Sequence, residues 1–172
     1  MEDIDSSVML KEKLLSAGID EISAHGVKDF SLRRVAAACG ASCAAPYKHF
    51  KNKEHFINEI IQYVEDKWTH LSSLISNAYA DPRARIAELC VAFVRFKIGN
   101  PLFGTGTDNF DPVITKEIED FCETHGLDTH HKMFVVSAMV TGTASLIENY
   151  KTKNDSETFD LLRKTILREL EL

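Results

Sequence analysis

Helix punctuation is the feature that most limits what this chain can become. Asp81-Pro82 and Asp111-Pro112 repeat one device. An Asp can accept the first free backbone N–H groups of a helix, and the Pro after it loses its own N–H where the loss costs least. Other signals of the same kind are spread along the chain. Gly26 can take the left-handed position that ends a first helix carrying Leu15, Ile19 and Ile22. Ser31 can cap a short helix through Cys39, closed by Gly40. Ser42 can cap the next, through about Phe50. Asn52 can start a long helix with Phe56, Ile60, Tyr63, Val64 and Trp68 along one side. Helices from Pro82 to about Ile98 and from Pro112 to about Gly126 follow. Asp128 can cap one to about Tyr150, and Asn154 or Asp155 one that runs to residue 172.

No run alternates with period two for long, and no Asn-Gly hairpin turn occurs. The expectation is therefore an all-α fold of about eight helices. "GNPLFGTGTDNFDP" is the only long loop expected between them.

Composition narrows the class further. Hydrophobic residues make up 44% of the 172 and charged residues 27%, the values of an ordinary globular chain with a sizeable core. No stretch approaches the ~18 apolar residues of a membrane span. The acidic start "MEDIDSSVMLKEKLL" lacks the charged-then-apolar pattern of a secretory signal, so a cytoplasmic location is expected. Cys39, Cys43, Cys90 and Cys122 form no Cys-x-x-Cys pair and read as reduced thiols.

Charge is shared unevenly. Residues 1–53 hold 8 Lys+Arg against 7 Asp+Glu, whereas residues 54–172 hold 12 against 19. Within the first part, Lys28, Arg33, Arg34, Lys48, Lys51 and Lys53 face only Asp29 across residues 28–53. A local cationic excess inside a chain of net charge −6 marks a site for an anionic partner. The expected division is 1–53 for that site and 54–172 for a larger helical body, bridged by the long helix from Asn52.

Two short helices joined by "CGAS" fit a helix-turn-helix. Ala36, Ala37, Ala38 and Gly40 allow close approach at the turn, with Val35 and Phe50 as apolar contacts beneath. The second helix of such a unit enters a DNA major groove.

Residues from about 10 to 61 resemble the DNA-binding domain of the TetR family of transcriptional regulators. The Gly26 turn, "FSLRRVAAACGAS", "YKHF" and "KNKEHF" carry the resemblance. It implies a three-helix DNA-binding head followed by a ligand-binding and dimerisation body. Ser31, Arg33, Ser42, Cys43, Ala44, Ala45, Tyr47, Lys48, His49 and Lys53 are the DNA-contact candidates. Tyr47 and His49 suit phosphate hydrogen bonds that set register. Lys53 suits a phosphate at the start of the next helix, and Lys48 a phosphate or guanine edge. Ser42, Cys43, Ala44 and Ala45 are short and suit close approach and thymine-methyl contact. Ala41 stands where the family usually has a β-branched residue, and Pro46 is expected in the first helical turn.

The family also implies an inducer pocket in the body, with Trp68, Phe93, Phe96, Phe103, Phe110, Phe121, Met133 and Phe134 as candidate lining. The loop around Gly99–Asp111 is its candidate gate. The family's dimer interface maps to the last two helices, here Ala138, Gly142, Ser145, Phe159, Leu162, Ile166 and Leu170. No cofactor is expected. His125, His130 and His131 lie near Asp128, but adjacent residues diverge around a helix, so no metal site is assigned. No nucleophile triad, phosphate loop or His-Glu-x-x-His pattern occurs, so no catalysis is expected. The expected function is sequence-specific DNA binding by a homodimeric repressor that reads a palindromic operator and is released by a small ligand. The alternative is an all-α dimerisation or protein-interaction module with a weakened DNA head.

Overall fold

Seven α-helices and one 3-10 turn make up the computed structural model, which describes residues 2–104 and 110–172, with side chains from Val8 onward. The helices are α1 (Glu2–His25), α2 (Leu32–Ala38), α3 (Lys53–Ala78), α4 (Pro82–Gly99), α5 (Pro112–His125), α6 (Thr129–Glu148) and α7 (Ser156–Glu169). Their starts follow the caps. Asn52 accepts the His55 N–H at 2.8 Å, and Asp111 accepts those of Val113 and Ile114 at 3.0 Å. Asp128 and Asp155 accept the N–H groups of His131 and Thr158 at 3.0 Å. Each such bond satisfies a backbone donor that has no partner within its own helix.

The expected helix from Ser42 to Phe50 is absent; only Pro46–Lys48 forms a 3-10 turn. With Ser42 as cap, Pro46 would stand where the first i→i−4 bond to the Ser42 carbonyl has to form. Pro46 has no N–H to donate, and its ring crowds that carbonyl. The backbone tightens instead: Ala45 donates to Ser42 O at 2.9 Å, Lys48 to Ala45 O at 3.2 Å and His49 to Pro46 O at 3.0 Å. These are i→i−3 bonds, the 3-10 pattern. The Ser42 side chain caps nothing here.

The chain divides into two units. The first comprises residues 1–67 with Asn100–Phe103, and the second residues 68–99 with 104–172. Packing thus places the first half of α3 with the head, beyond the compositional boundary at 53/54. In the head, Leu14, Leu15 and Ile22 of α1, Val35 and Ala36 of α2, Phe50, and Phe56, Ile60 and Val64 of α3 are buried. Phe56 meets Phe50 edge-on at 4.3 Å and Phe30 at 5.5 Å. A Cβ at Gly18 would lie 2.6 Å from both Ile60 Cδ1 and Phe56 Cε1, so α1 can lie this close to α3 only without one.

In the second unit α4 packs against α5, α6 and α7. Ile86, Leu89 and Val94 meet a core of Ile114, Ile118, Val136, Val140, Phe159, Leu162, Ile166 and Leu170. Arg163 of α7 donates to Glu88 of α4 at 2.5 Å, and Arg95 lies 4.3 Å from the Phe159 ring. No helix among the described residues is long and apolar enough to cross a membrane.

Candidate nucleic-acid interface

The candidate interface is built on how α2 ends. Gly40 takes φ +65°, donating to Ala37 O at 3.0 Å while Ala41 donates to Ala36 O at 2.9 Å. This paired closure turns the chain out of α2 and into Ser42–His49. Phe50, buried to 1% exposure, then anchors the far end of that turn against α3. The exposed side chains of the turn are Ser42, Cys43, Ala44, Tyr47 and Lys48, and Tyr47 is 61% exposed. His49 is half-buried, its ring 6.0 Å from that of Phe50.

Ala45 does not share this face. It is 7% exposed, because the 3-10 turn rotates it inward with Pro46. Its assignment to a thymine methyl is therefore withdrawn. Ser31 is half-buried and occupied: its hydroxyl accepts the Arg34 N–H, and its own N–H donates to Glu21.

Glu21 was not legible as a site residue. Its buried carboxylate accepts the Ser31 N–H at 3.1 Å and the Arg34 Nε–H at 2.7 Å; Arg34 Nη2 bonds both this oxygen and the Asp29 carbonyl. The Arg34 hydrogen bonds hold the Glu21 carboxyl below the usual carboxylate range, against the upward pull of burial. Arg34 is thereby spent internally. The only sequence signal was a carboxylate on the apolar side of α1, one position before Ile22.

Lys28, Arg33, Lys48, Lys51 and Lys53 remain, all exposed and none ion-paired among the described residues. The Lys53 Nζ donates to the Lys28 carbonyl at 3.3 Å and lies 5.7 Å from the Phe30 ring, so it stands beside the α1–α2 loop. The head thus presents five cations, an exposed phenol and short side chains at the turn. Such a surface can neutralise phosphates along a backbone and approach base edges closely.

In the body, Trp68 packs on Phe93 at 5.4 Å and Phe96 at 5.5 Å, and Phe93 on Phe110 at 5.9 Å. The Trp68 Nε1–H donates to Asp111 Oδ2 at 2.6 Å. Phe121 packs on His125 at 4.5 Å, and Met133 is half-buried. Phe103 is buried and belongs to the head unit. Phe134 is 68% exposed and cannot line an interior pocket, because it falls on the outer face of α6. Of the candidate gate, residues 105–109 lie outside the described residues. His131 lies 3.5 Å from Glu169, and His125 Nδ1 pairs with the Phe121 carbonyl.

The proposed interface residues Phe159, Leu162, Ile166 and Leu170 are buried within their own protomer. This corrects the assignment: the α7 stripe faces α4, as the Arg163–Glu88 and Arg95–Phe159 contacts require. Ala138 and Ser145 are exposed and Gly142 half-buried, and they share the outer surface with Leu146, Leu161 and Phe134.

Comparison with known proteins places the head. Residues 14–60 match the family described as bacterial regulatory proteins, tetR family. The nucleoid occlusion factor SlmA of Escherichia coli O1:K1 / APEC is 29% identical over 91 residues, which are 53% of this chain and 46% of that protein. The chain spans about half the length of the curated relatives it matches. Two solved structures share the fold. The transcriptional regulator FadR of Bacillus subtilis, in complex with stearoyl-CoA, aligns with a TM-score of 0.66 at 13% identity, covering 92% of this chain and 96% of that one. A TetR/AcrR-family regulator of Thermobifida fusca YX-ER1 aligns at 0.60 and 20% identity, covering 93% and 95%.

Proposed function

We propose, for a chain whose residues 14–60 match the family described as bacterial regulatory proteins, tetR family, that it is a sequence-specific DNA-binding regulator acting as a homodimeric repressor released by a small ligand. The observation that carries this reading is the exposed turn Ser42–Lys48 with five unpaired cations around it. DNA reading is assigned to residues 1–53, and ligand response and dimerisation to 54–172. Tyr47, His49 and Lys53 bind phosphates and set register, with Arg33 and Lys48 at backbone or base edges. Ser42, Cys43 and Ala44 offer few long donors, so groove shape carries much of the specificity.

The body supports a ligand with an apolar part. The rings of Trp68, Phe93, Phe96 and Phe110 offer its apolar contacts, beside the Trp68–Asp111 bond. One continuous helix carries both Trp68 and Lys53. Two such heads on a dimer would read half-sites about 34–36 Å apart on a palindrome.

The test is binding to duplexes from the protein's own upstream region at several salt concentrations, beside Tyr47→Ala and Lys53→Ala. Selective binding that weakens with salt and in both variants supports the regulator. Binding no tighter than to scrambled duplex, unchanged by either variant, favours the second reading: an all-α interaction module. That reading has one structural observation in its favour, the replacement of a full second helix by a 3-10 turn.

A further inference from the structure

The turn between α6 and α7 carries a residue that its own fold does not explain. Tyr150 takes φ +56°, the only non-glycine residue at positive φ among the described residues. It closes α6 as glycine usually does, donating to Ile147 O at 3.1 Å while Lys151 donates to Leu146 O at 2.8 Å. Gly26, Gly40 and Gly126 hold the corresponding left-handed positions after α1, α2 and α5. A tyrosine there strains the backbone, and at 96% exposure its ring packs against almost nothing. Strain without internal packing points to a contact outside the protomer.

The surroundings give that contact its chemistry. Tyr150, Lys151 and Lys153 rim an open groove of about 630 Å³ with Ile98 and Ile147 on its apolar side. Neither lysine is ion-paired among the described residues. Of the nearby carboxylates, Glu148 also lines the groove, while Asp155 accepts the Thr158 N–H at the α7 start and lies within the field of Lys153. With Lys151 and Lys153 against Glu148, the lining carries a net positive charge within a body that is otherwise acidic, with 12 Lys+Arg against 19 Asp+Glu over residues 54–172. An open groove along a turn does not enclose a small molecule, which would need most of its surface covered.

We propose that this groove docks a short acidic peptide segment of a partner protein. Carboxylates of the segment pair with Lys151 and Lys153, and an apolar or aromatic side chain lies between the Tyr150 ring and Ile98 and Ile147. The site is independent of the DNA-binding reading, and its occupant would make the protein a docking platform as well as a DNA binder.

Tyr150→Gly separates function from folding, because glycine relieves the left-handed strain. The full chain, the Tyr150→Gly variant and a Lys151→Glu/Lys153→Glu double variant are panned against a random display library of peptides about 12 residues long. The expected result is enrichment, by the wild type alone, of peptides with Asp or Glu flanking a large apolar residue. The best of these, synthesised, binds about tenfold more weakly to Tyr150→Gly and more weakly still to the double variant. The thermal midpoint of Tyr150→Gly is equal to or above that of the wild type. Three outcomes overturn the proposal. One is no enrichment, or the same enrichment on all three proteins. Another is a lowered midpoint in Tyr150→Gly, which would make the ring structural. The third is self-association lost with Tyr150→Gly in sedimentation, which would assign the groove to a second copy of the chain.

Discussion

Glu21 on α1 accepts the Arg34 Nε–H of α2 at 2.7 Å, and this pair fixes the start of α2 relative to α1. The same carboxylate accepts the Ser31 N–H, so one side chain holds both the cap and the first turn of the helix that precedes the candidate DNA-reading turn. Breaking one partner of a nearly buried charged pair leaves the other unsatisfied.

Glu21→Gln is therefore expected to destabilise the head by about 2 kcal/mol, measured by urea unfolding at neutral pH. The pH dependence has a definite sign. The folded carboxyl titrates below its unfolded value. The stabilisation is thus fully present above the unfolded value of about 4.3, and is lost as pH falls below it through the folded value. The gap between wild type and variant should shrink across that window. A gap independent of pH would mean the charge is not what stabilises.

Arg34 and Lys53 should behave differently toward DNA although both are basic. Lys53→Ala removes an exposed cation and should lower the slope of log affinity against log salt by about one. Arg34→Ala should leave that slope unchanged, since its charge is already matched by Glu21. Equal slopes for the two variants would contradict the assignment.

Gly18→Ala tests the α1–α3 crossing. On helix propensity alone the change should stabilise by about 1 kcal/mol. The added methyl instead meets Phe56 and Ile60, both fully buried, with Phe56 held by Phe50 and Phe30. The expected net effect is a loss of about 1 kcal/mol or more, read as a lower thermal midpoint.

Trp68 is the chain's single tryptophan, so its fluorescence reports one environment. Asp111→Ala removes the acceptor of its Nε1–H and the cap of α5 together. A stability loss of about 2 kcal/mol and a shift of the emission maximum are expected. Asp111→Asn, which keeps an acceptor oxygen, should show much smaller changes in both.

Leu161 and Leu162 are adjacent and should give opposite phenotypes. Leu161 is 66% exposed and Leu162 is buried against the protomer's own core. If the outer α6–α7 face joins two subunits, Leu161→Glu yields a folded monomer by analytical ultracentrifugation. Leu162→Glu should instead unfold the protomer.

Much of this was legible locally. Asn52, Asp111, Asp128 and Asp155 marked helix starts because a cap needs only a side-chain oxygen within three residues of the donor. Gly26, Gly40 and Gly126 marked helix ends because the left-handed position is a property of one residue. The exposed cations of residues 28–53 were legible too, since a cluster with few opposing carboxylates tends to remain on the surface. Pro46 misled: anywhere before the first closing hydrogen bond it would have been tolerated, whereas at the fourth helical residue it removes that bond.

Tertiary structure decided the rest, for the reason that burial and pairing are relations between distant residues. Periodicity located the apolar stripe of α7, but only the packing of α4 settled that Phe159, Leu162, Ile166 and Leu170 face inward and Leu161 outward. Composition counted Arg34 among the free cations, and only the approach of α1 assigned it to Glu21. Nothing within α1 itself calls for a glycine at Gly18; the requirement comes from Phe56 and Ile60 of α3, which a Cβ there would meet at 2.6 Å. Sequence by itself determined the all-α class and the position of the cationic turn, because both arise from interactions within a few residues; the partner of each side chain depended on which helices the fold brought together.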